Sequence, residues 1–292
     1  MNELELKERI SKLNIWEKGG QRAPHKPLLI LYALGRLQQG GNRLINYEDV
    51  RQDLIDLLSE FGPYRRAYSP ENPFSRLHKD GFWELSHKVE DKDIRNKWLL
   101  DNRISGGFSI DTYNLLEKNP SLVQEIAQML LKQHFTDTMH EDILEAVGLD
   151  FNQDIKLRSA RDPYFRDKIL NAYEHRCAIC GFNVRIGNNL VAVEAAHIKW
   201  HQAGGPDREE NGIAMCSLHH KLFDRGVFAI EESRVLRVSE QAHGTSGFDE
   251  WVMKYHDREI KKPIRPDYEP NNEYTAWHMR EVFKGQSRYV TR

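Results

Sequence analysis

The chain is poor in cysteine, lacks long hydrophobic runs and carries little net charge. Its 292 residues include only 3 cysteines, too few for the disulfide framework of a small secreted protein. No run reaches the roughly 18 apolar residues of a membrane-spanning helix, and the charged start MNELELKERI differs from a signal peptide. The net charge of -2 identifies no partner, since local basic patches bind phosphate even on a neutral protein. We therefore expect a cytoplasmic protein that does not enter a membrane.

The length and composition fit a globular protein of two domains. The chain is 39% hydrophobic and 29% charged, and it is long enough for two separate cores. Helical and short extended patterns alternate over residues 1–150, which predicts a mostly helical domain with a small sheet. Residues 151–168 are polar and charged and are interpreted as a linker. Residues 169–292 form the second domain, so the predicted fold class is α+β.

Local signals predict several elements and their ends. Asn46 is the expected N-cap of a helix, and Asn119 is a candidate cap before Pro120 at a first helical position. The alternation in GFWEL, residues 81–85, indicates a short strand. Apolar residues at helical spacing predict helices over residues 25–41, 45–62, 119–135 and 273–283.

All three cysteines fall in one pattern with a histidine. Cys177 and Cys180 form C-x2-C, and Cys216 with His219 forms C-x2-H. Two such pairs can hold one zinc ion in a closed tetrahedral structural site. The alternative is that the cysteines are small buried apolar residues, but their clustering favours the metal. His220 points about a quarter-turn away from His219 on the predicted helix, so we expect it to serve a different site.

The segment between the two pairs resembles the HNH, or ββα-metal, nuclease motif. The matching strings are EAAHI, ENGIAMC and HHKLFD, which contain His197, Asn211 and His220. The resemblance implies two strands and a helix stabilised by zinc, with His197 as the general base for phosphodiester hydrolysis. It implies His220 as a ligand of a catalytic divalent cation, Mg²⁺ or Mn²⁺. Asn211 either orients His197 or fixes the loop.

One position departs from the HNH pattern. Many of these nucleases carry a metal-binding Asp or His directly before the base, whereas this chain has Ala196. Asp224 lies four residues after His220 on the same helix face and is a candidate second ligand. Glu194 shares a strand face with Ala196 and is another candidate.

The first 150 residues resemble the sulfur-binding domain of restriction endonucleases that cut phosphorothioated DNA. The resemblance rests on RAPHKPLLILYAL, PYRRAYSPENPFSRLHKDGFWEL and HEDILEAVGL. Sulfur is poorly hydrated, so a pocket of proline and aromatic faces favours it over an oxygen that would lose hydrogen bonds to water. Cations beside the pocket would hold the DNA backbone. The candidate DNA- and sulfur-binding residues are Arg22, Pro24, His25, Lys26, Tyr64, Arg65, Arg66, Asn72, Pro73, Phe74 and Ser75.

These observations predict a modification-dependent restriction endonuclease. Its partner would be double-stranded, phosphorothioated DNA, and cutting both strands favours a homodimer. Two alternatives remain open at this stage. One is an HNH nuclease that recognises methylated or otherwise modified bases by flipping a base into an aromatic cage. The other is a non-catalytic, zinc-dependent DNA-binding protein.

Overall fold

The computed structural model describes residues 1–15, 23–90, 94–151 and 163–289. Backbone contacts divide the chain into two units, Met1–Arg158 and Ser159–Arg292. Most of the segment interpreted as a linker lies outside the described residues, and so does Arg22. The end of that segment is helical, because a helix begins at Pro163.

The first unit is mostly helical, with three short strands among its helices. Its elements are α1 (Glu3–Ser11), α2 (His25–Gln38), β1 (Leu44–Asn46), α3 (Tyr47–Phe61), α4 (Glu71–Arg76), β2 (Trp83–Leu85), α5 (Asn96–Asp101), β3 (Ser105–Phe108), α6 (Ile110–Lys118), α7 (Pro120–His134) and α8 (His140–Val147). The strands form an antiparallel sheet in the order β1-β3-β2. This layout agrees with the predicted helical domain and small sheet, and β2 is the strand expected in GFWEL.

Helix α2 is the centre of this unit. Its residues 27–35 are all buried, and it packs against α3, α4, α7 and α8. Because apolar side chains cover this helix on every side, it lies inside the domain. The approach of α8 is close: a Cβ on Gly35 would lie 1.9 Å from the carbonyl oxygen of Val147. Glycine is therefore required where these two helices meet.

The two predicted helix caps differ in outcome. The Asn46 side chain accepts a hydrogen bond from the Glu48 amide at 3.0 Å, as expected for the N-cap of α3. Asn119 does occupy the N-cap position of α7, but its side chain does not cap the helix, because its amide donates to the carbonyl of Leu115 at 2.7 Å in the preceding helix. Pro120 does occupy the first turn of α7, where its missing N–H has no helical partner to lose.

The second unit consists of short two-stranded sheets with helices before, between and after them. Its elements are α9 (Pro163–Ala172), β4 (Val184–Ile186), β5 (Asn189–Val191), β6 (Val193–His197), β7 (Gly212–Cys216), α10 (Ser217–Asp224), β8 (Phe228–Ile230), β9 (Leu236–Val238), α11 (Phe248–Trp251) and α12 (Asn272–Glu281). Strands β6 and β7 pair antiparallel, and α10 follows β7 directly. The predicted two strands and helix are thus present, and α12 is the final helix expected from the sequence.

The strand pair β6–β7 has a different partner on each face. Successive side chains of each strand point to opposite faces of the pair. His197 pairs with Gly212, and a Cβ on Gly212 would meet Ile169 and Phe165 of α9. The other face carries Glu194, whose side chain meets α10. A helix therefore covers each face of the strand pair. None of the helices in the described ranges is long and apolar enough to cross a membrane.

Candidate functional site: an HNH-like nuclease centre and a DNA-reading domain

The four predicted zinc ligands lie together in the second unit. One ligand atom from each of Cys177, Cys180, Cys216 and His219 falls within 4.8 Å of every other. The Cys180 and Cys216 sulfurs are 3.9 Å apart, and the Cys177 sulfur is 3.7 Å from His219 Nδ1. Tetrahedral zinc with bonds of about 2.3 Å to sulfur separates its ligands by about 3.7 Å. The donor set and its spacing therefore fit a zinc ion.

Neighbouring backbone holds these four side chains in place. The Gly181 amide donates to the Cys177 carbonyl at 2.8 Å, which closes the turn between the first two cysteines. His219 Nε2 lies 2.9 Å from the Trp251 carbonyl oxygen, so Nδ1 is the nitrogen that faces the thiols. An outer hydrogen bond of this kind fixes the ring orientation of a metal ligand. Hydrogen bonds among the thiols lower the pKa of Cys177 and raise that of Cys216, so the thiols share their protons, which metal binding would displace.

His220 lies between two carboxylates on the other side of α10. Its Nδ1 is 2.7 Å from Glu194 Oε2, and its Nε2 is 3.2 Å from Asp224 Oδ2. Burial alone would lower the pKa of His220, but Asp224 and Glu194 raise it to about 9. The His220 and Asp224 side chains are 4% and 1% exposed. The structure thus places both predicted catalytic-metal residues in one buried cluster, and the Glu194 side chain, which is 41% exposed, borders it.

A tryptophan holds Asp224 from the opposite side. Trp200 Nε1 donates to Asp224 Oδ1 at 3.0 Å, so each carboxylate oxygen has its own partner. Trp200 is itself only 1% exposed. Ala196 lies on the same strand face as Glu194 and is fully buried. Glu194, two residues upstream on this face, supplies a carboxylate that meets His220.

His197 ends β6 on the face that α9 covers. Its ring stacks on Phe165 with the centroids 4.1 Å apart and the planes 15° apart. Its Nε2 lies 2.7 Å from Asp207 Oδ1. The side chain is 8% exposed, so Phe165 and Asp207 hold an imidazole of which only a small part reaches the surface.

Asn211 fixes the loop that leaves His197. Its amide nitrogen donates to the carbonyls of Lys199 at 3.0 Å and Pro206 at 2.9 Å. Its amide oxygen accepts from the Lys199 backbone at 2.9 Å. Of the two roles predicted for Asn211, the geometry therefore matches the loop clamp, because its side chain bonds to backbone groups and not to the His197 ring.

In the first unit, several predicted DNA contacts lie near the start of α2. Burial, and then the positive charge of Arg65, lower the pKa of His25. These two candidates are therefore close enough for the charge of one to act on the other. Lys26 forms an ion pair with Asp80 at 2.5 Å. Tyr64 is 37% exposed, and its carbonyl accepts from Arg65 Nη1 at 2.8 Å. Arg66 is exposed and Asn72 half-buried.

Comparisons with known proteins assign both units. A family model for the ScoMcrA-like DNA sulfur-binding domain matches residues 3–152. The chain belongs to this sulfur-binding family. A second model, HNH endonuclease, matches residues 177–231. The chain is therefore a DNA endonuclease that carries a sulfur-binding domain before an HNH domain, as the sequence predicted.

Solved structures similar to the sulfur-binding domain include two complexes. The sulfur-binding domain of ScoMcrA with phosphorothioated DNA is 22% identical over 49% of this chain and 94% of its own, with a TM-score of 0.42. The corresponding complex of SprMcrA is 23% identical over 51% and 95%, with a TM-score of 0.43. The type IV phosphorothioation-dependent restriction endonuclease ScoMcrA is 22% identical over 49% and 32%, with a TM-score of 0.41. None of the curated proteins compared matches this chain.

Several of the predicted sulfur-binding residues are buried in this structure. Phe74 and Ser75 are fully buried, and the Phe74 ring packs 5.0 Å from Tyr47 and 6.2 Å from Trp83. Pro24 and Pro73 are buried as well. In this conformation these side chains pack within the domain, and their role at a sulfur-binding pocket stays a prediction. Tyr64 is the predicted wall residue that stays exposed.

Sequence reasoning missed three residues of the HNH centre, namely Phe165, Trp200 and Asp207. Each belongs to a segment that the motif strings do not define. The separation of ten residues between His197 and Asp207 follows no strand or helix period. An acidic residue shortly before ENGIA was the only available signal, and acidic loop residues are common.

Proposed function

We propose that this protein is a modification-dependent restriction endonuclease. Its sulfur-binding domain recognises phosphorothioated DNA, and its HNH domain hydrolyses phosphodiester bonds nearby. The observation that carries the proposal is the presence of both domains in one chain. The order of the residues also fits an HNH nuclease. His197 ends β6, Asn211 directly precedes β7, and His220 lies in the helix that follows.

His197 is the proposed general base. A neutral imidazole can take a proton from water near neutral pH. The water oxygen then bonds to phosphorus while the bond to the leaving oxygen breaks. Phe165 and Asp207 hold the ring, and such fixed geometry lowers the entropic part of the barrier.

His220 and Asp224 would hold the catalytic Mg²⁺ or Mn²⁺. Their facing atoms are 3.2 Å apart, close to the separation of about 3 Å for neighbouring ligands of an ion with bonds of about 2.1 Å. Such an ion keeps several waters, so it does not need a side chain at Ala196. His220 would donate a hydrogen bond from its Nδ1–H to Glu194, which keeps Nε2 directed at the metal. When bound, the ion stabilises negative charge on the phosphate.

The ion in the three-cysteine, one-histidine group would be structural zinc. The thiols come from the turn after α9 and from the end of β7, so one ion ties together segments far apart in sequence. All four protein ligands occupy the tetrahedron, which leaves no open position for substrate. The zinc therefore stabilises the strands and α10 rather than taking part in hydrolysis.

The proposed DNA-reading surface lies around His25, Tyr64 and Arg65. The low pKa of His25 keeps the imidazole neutral at pH 7, which suits contact with poorly hydrated sulfur. Arg65 and the exposed Arg66 supply positive charge for the neighbouring phosphates. A homodimer would supply the second active site needed to cut both strands.

A matched pair of plasmids tests the proposal. One is isolated from a host that installs sulfur in its DNA backbone, and the other has the same sequence without sulfur. With Mg²⁺ or Mn²⁺, we expect cleavage of the first plasmid alone by the wild type, and none by His197→Ala, which still binds the modified DNA. Cleavage dependent on methylated bases would favour a base-reading nuclease. Binding without any metal-dependent cutting would favour a non-catalytic DNA-binding protein.

A further inference from the structure

Hydrogen bonds of the Asn211 side chain close the loop between β6 and β7 beside His197. Asn211, the last residue of the loop, bonds to the backbone at Lys199 near the start of the loop and at Pro206 near its middle. Gly205 allows this closure, because a Cβ there would lie 1.9 Å from the Lys199 carbonyl oxygen. Asp207 follows Pro206 directly. The clamp therefore fixes the chain immediately before Asp207 and sets where its carboxylate points.

The Asp207 carboxylate points at one nitrogen of the His197 ring. The distance between Asp207 Oδ1 and His197 Nε2 is 2.7 Å. A carboxylate accepts hydrogen bonds and does not donate them, so this contact requires the proton to be on Nε2. The neutral ring carries a single proton, so its lone pair is then on Nδ1. Phe165 stacks on the ring face and restricts rotation about the side-chain bonds.

We propose that Asp207 is a positioning residue, which fixes His197 in the tautomer whose Nδ1 takes the proton from the attacking water. The inference rests on the proposed role of His197 as the general base. When the water oxygen bonds to phosphorus, its proton moves to Nδ1 and the ring becomes a cation. The phosphorus bond to the leaving oxygen breaks, and that oxygen is protonated by solvent. The Asp207 carboxylate stabilises the imidazolium until Nδ1 returns its proton to solvent.

This role extends the function of Asn211. Its side chain holds Pro206 and Lys199. Through them it fixes the positions of both the base, His197, and the carboxylate that orients the base, Asp207. Asn211 is fully buried, so it acts on catalysis through the loop. A serine protease triad uses the same division, in which a buried carboxylate holds the histidine in its working tautomer.

The test combines single-turnover cleavage with the protonation state of His197. The full chain is labelled with ¹⁵N-histidine, and the His197 signals are identified by their absence from His197→Ala. In the wild type above the His197 titration, we expect the proton on Nε2 and an unprotonated Nδ1. Asp207→Asn should lower the single-turnover rate on phosphorothioated DNA by on the order of 10²- to 10⁴-fold and lose this single tautomer, while its DNA affinity stays unchanged. Asp207→Glu should recover part of the rate.

Controls separate positioning from a purely structural role. Asp249→Asn changes an exposed acid of α11 and should cleave like the wild type. Zinc content and melting temperature establish that Asp207→Asn is folded. A wild-type His197 protonated on Nδ1 overturns the proposal without any variant. So does an Asp207→Asn protein that cuts within about twofold of the wild type while His197→Ala is inactive. If His197→Ala still cuts, the base assignment itself fails, and the role of Asp207 fails with it.

Discussion

His219 and His220 are adjacent in the chain, yet their imidazoles belong to different clusters. His219 Nδ1 lies 3.1 Å from the Cys216 sulfur, whereas His220 Nδ1 lies 2.7 Å from Glu194 Oε2. The helix rotates by about 100° per residue, so α10 directs one ring at the thiols and the next at the carboxylates. A single turn of helix thereby joins the proposed structural ion to the proposed catalytic ion.

Removing the structural metal should unfold the HNH domain. We expect one zinc per chain in the wild type and little in Cys180→Ser, because structural zinc contributes its binding energy to folding. Metal analysis and circular dichroism measure these changes. His243→Ala alters an exposed histidine away from the cluster and should keep its zinc. A folded, zinc-free Cys180→Ser protein with wild-type melting would contradict the structural role.

The catalytic metal should depend on His220 and, through it, on Glu194. We expect His220→Ala to lose most Mn²⁺ affinity, and Glu194→Gln to lose about 10- to 100-fold, the usual effect of removing an outer partner. Titration calorimetry on zinc-loaded protein gives both values. Glu250→Gln changes an exposed carboxylate and serves as the control. Unchanged Mn²⁺ binding by His220→Ala would exclude that residue as a ligand.

Arg65 should contribute a phosphate contact. We expect Arg65→Ala to bind phosphorothioated DNA more weakly and to reduce the dependence of log K on log salt by about 1. Fluorescence anisotropy at several salt concentrations measures both quantities. Lys132→Ala removes an exposed cation from the last turn of α7 and should leave the slope unchanged. An equal slope for Arg65→Ala and the wild type would place Arg65 outside the DNA interface.

His134 should make the sulfur-binding domain sensitive to acid. Burial lowers the pKa of His134 to about 4, below the value of about 6.5 in an unfolded chain. As the pH falls from about 6.5 to about 4, the unfolded state binds the proton first and the free energy of unfolding decreases. We expect His134→Gln to gain stability relative to the wild type across this window. Melting temperatures of both proteins at pH 7.5 and pH 5 test the prediction, and a constant difference would refute it.

Much of the fold was accessible from local signals. Asn46 caps α3 as predicted, because a cap depends on a few consecutive residues. Asn119 takes the predicted N-cap position of α7, but its side chain makes no capping hydrogen bond, because its amide donates to Leu115 in the preceding helix. The sequence offered Phe74 as a candidate pocket residue, and the structure shows its ring packed beside those of Tyr47 and Trp83. An aromatic residue has the same identity in a core and in a pocket, and only its surroundings distinguish the two.

The sequence alone determined the chemistry of the centre: three thiols, the HNH histidines and an asparagine, at spacings set by a strand pair and a helix. Helical spacing predicted that Asp224 meets His220, but only the tertiary structure showed the other two pairs of carboxylate and ring. Asp207 reaches His197 because Asn211 closes a loop, and Glu194 reaches His220 because α10 packs against β6. Periodicity predicts contacts within one element, whereas these depend on strand register and on loop closure, which no local pattern encodes.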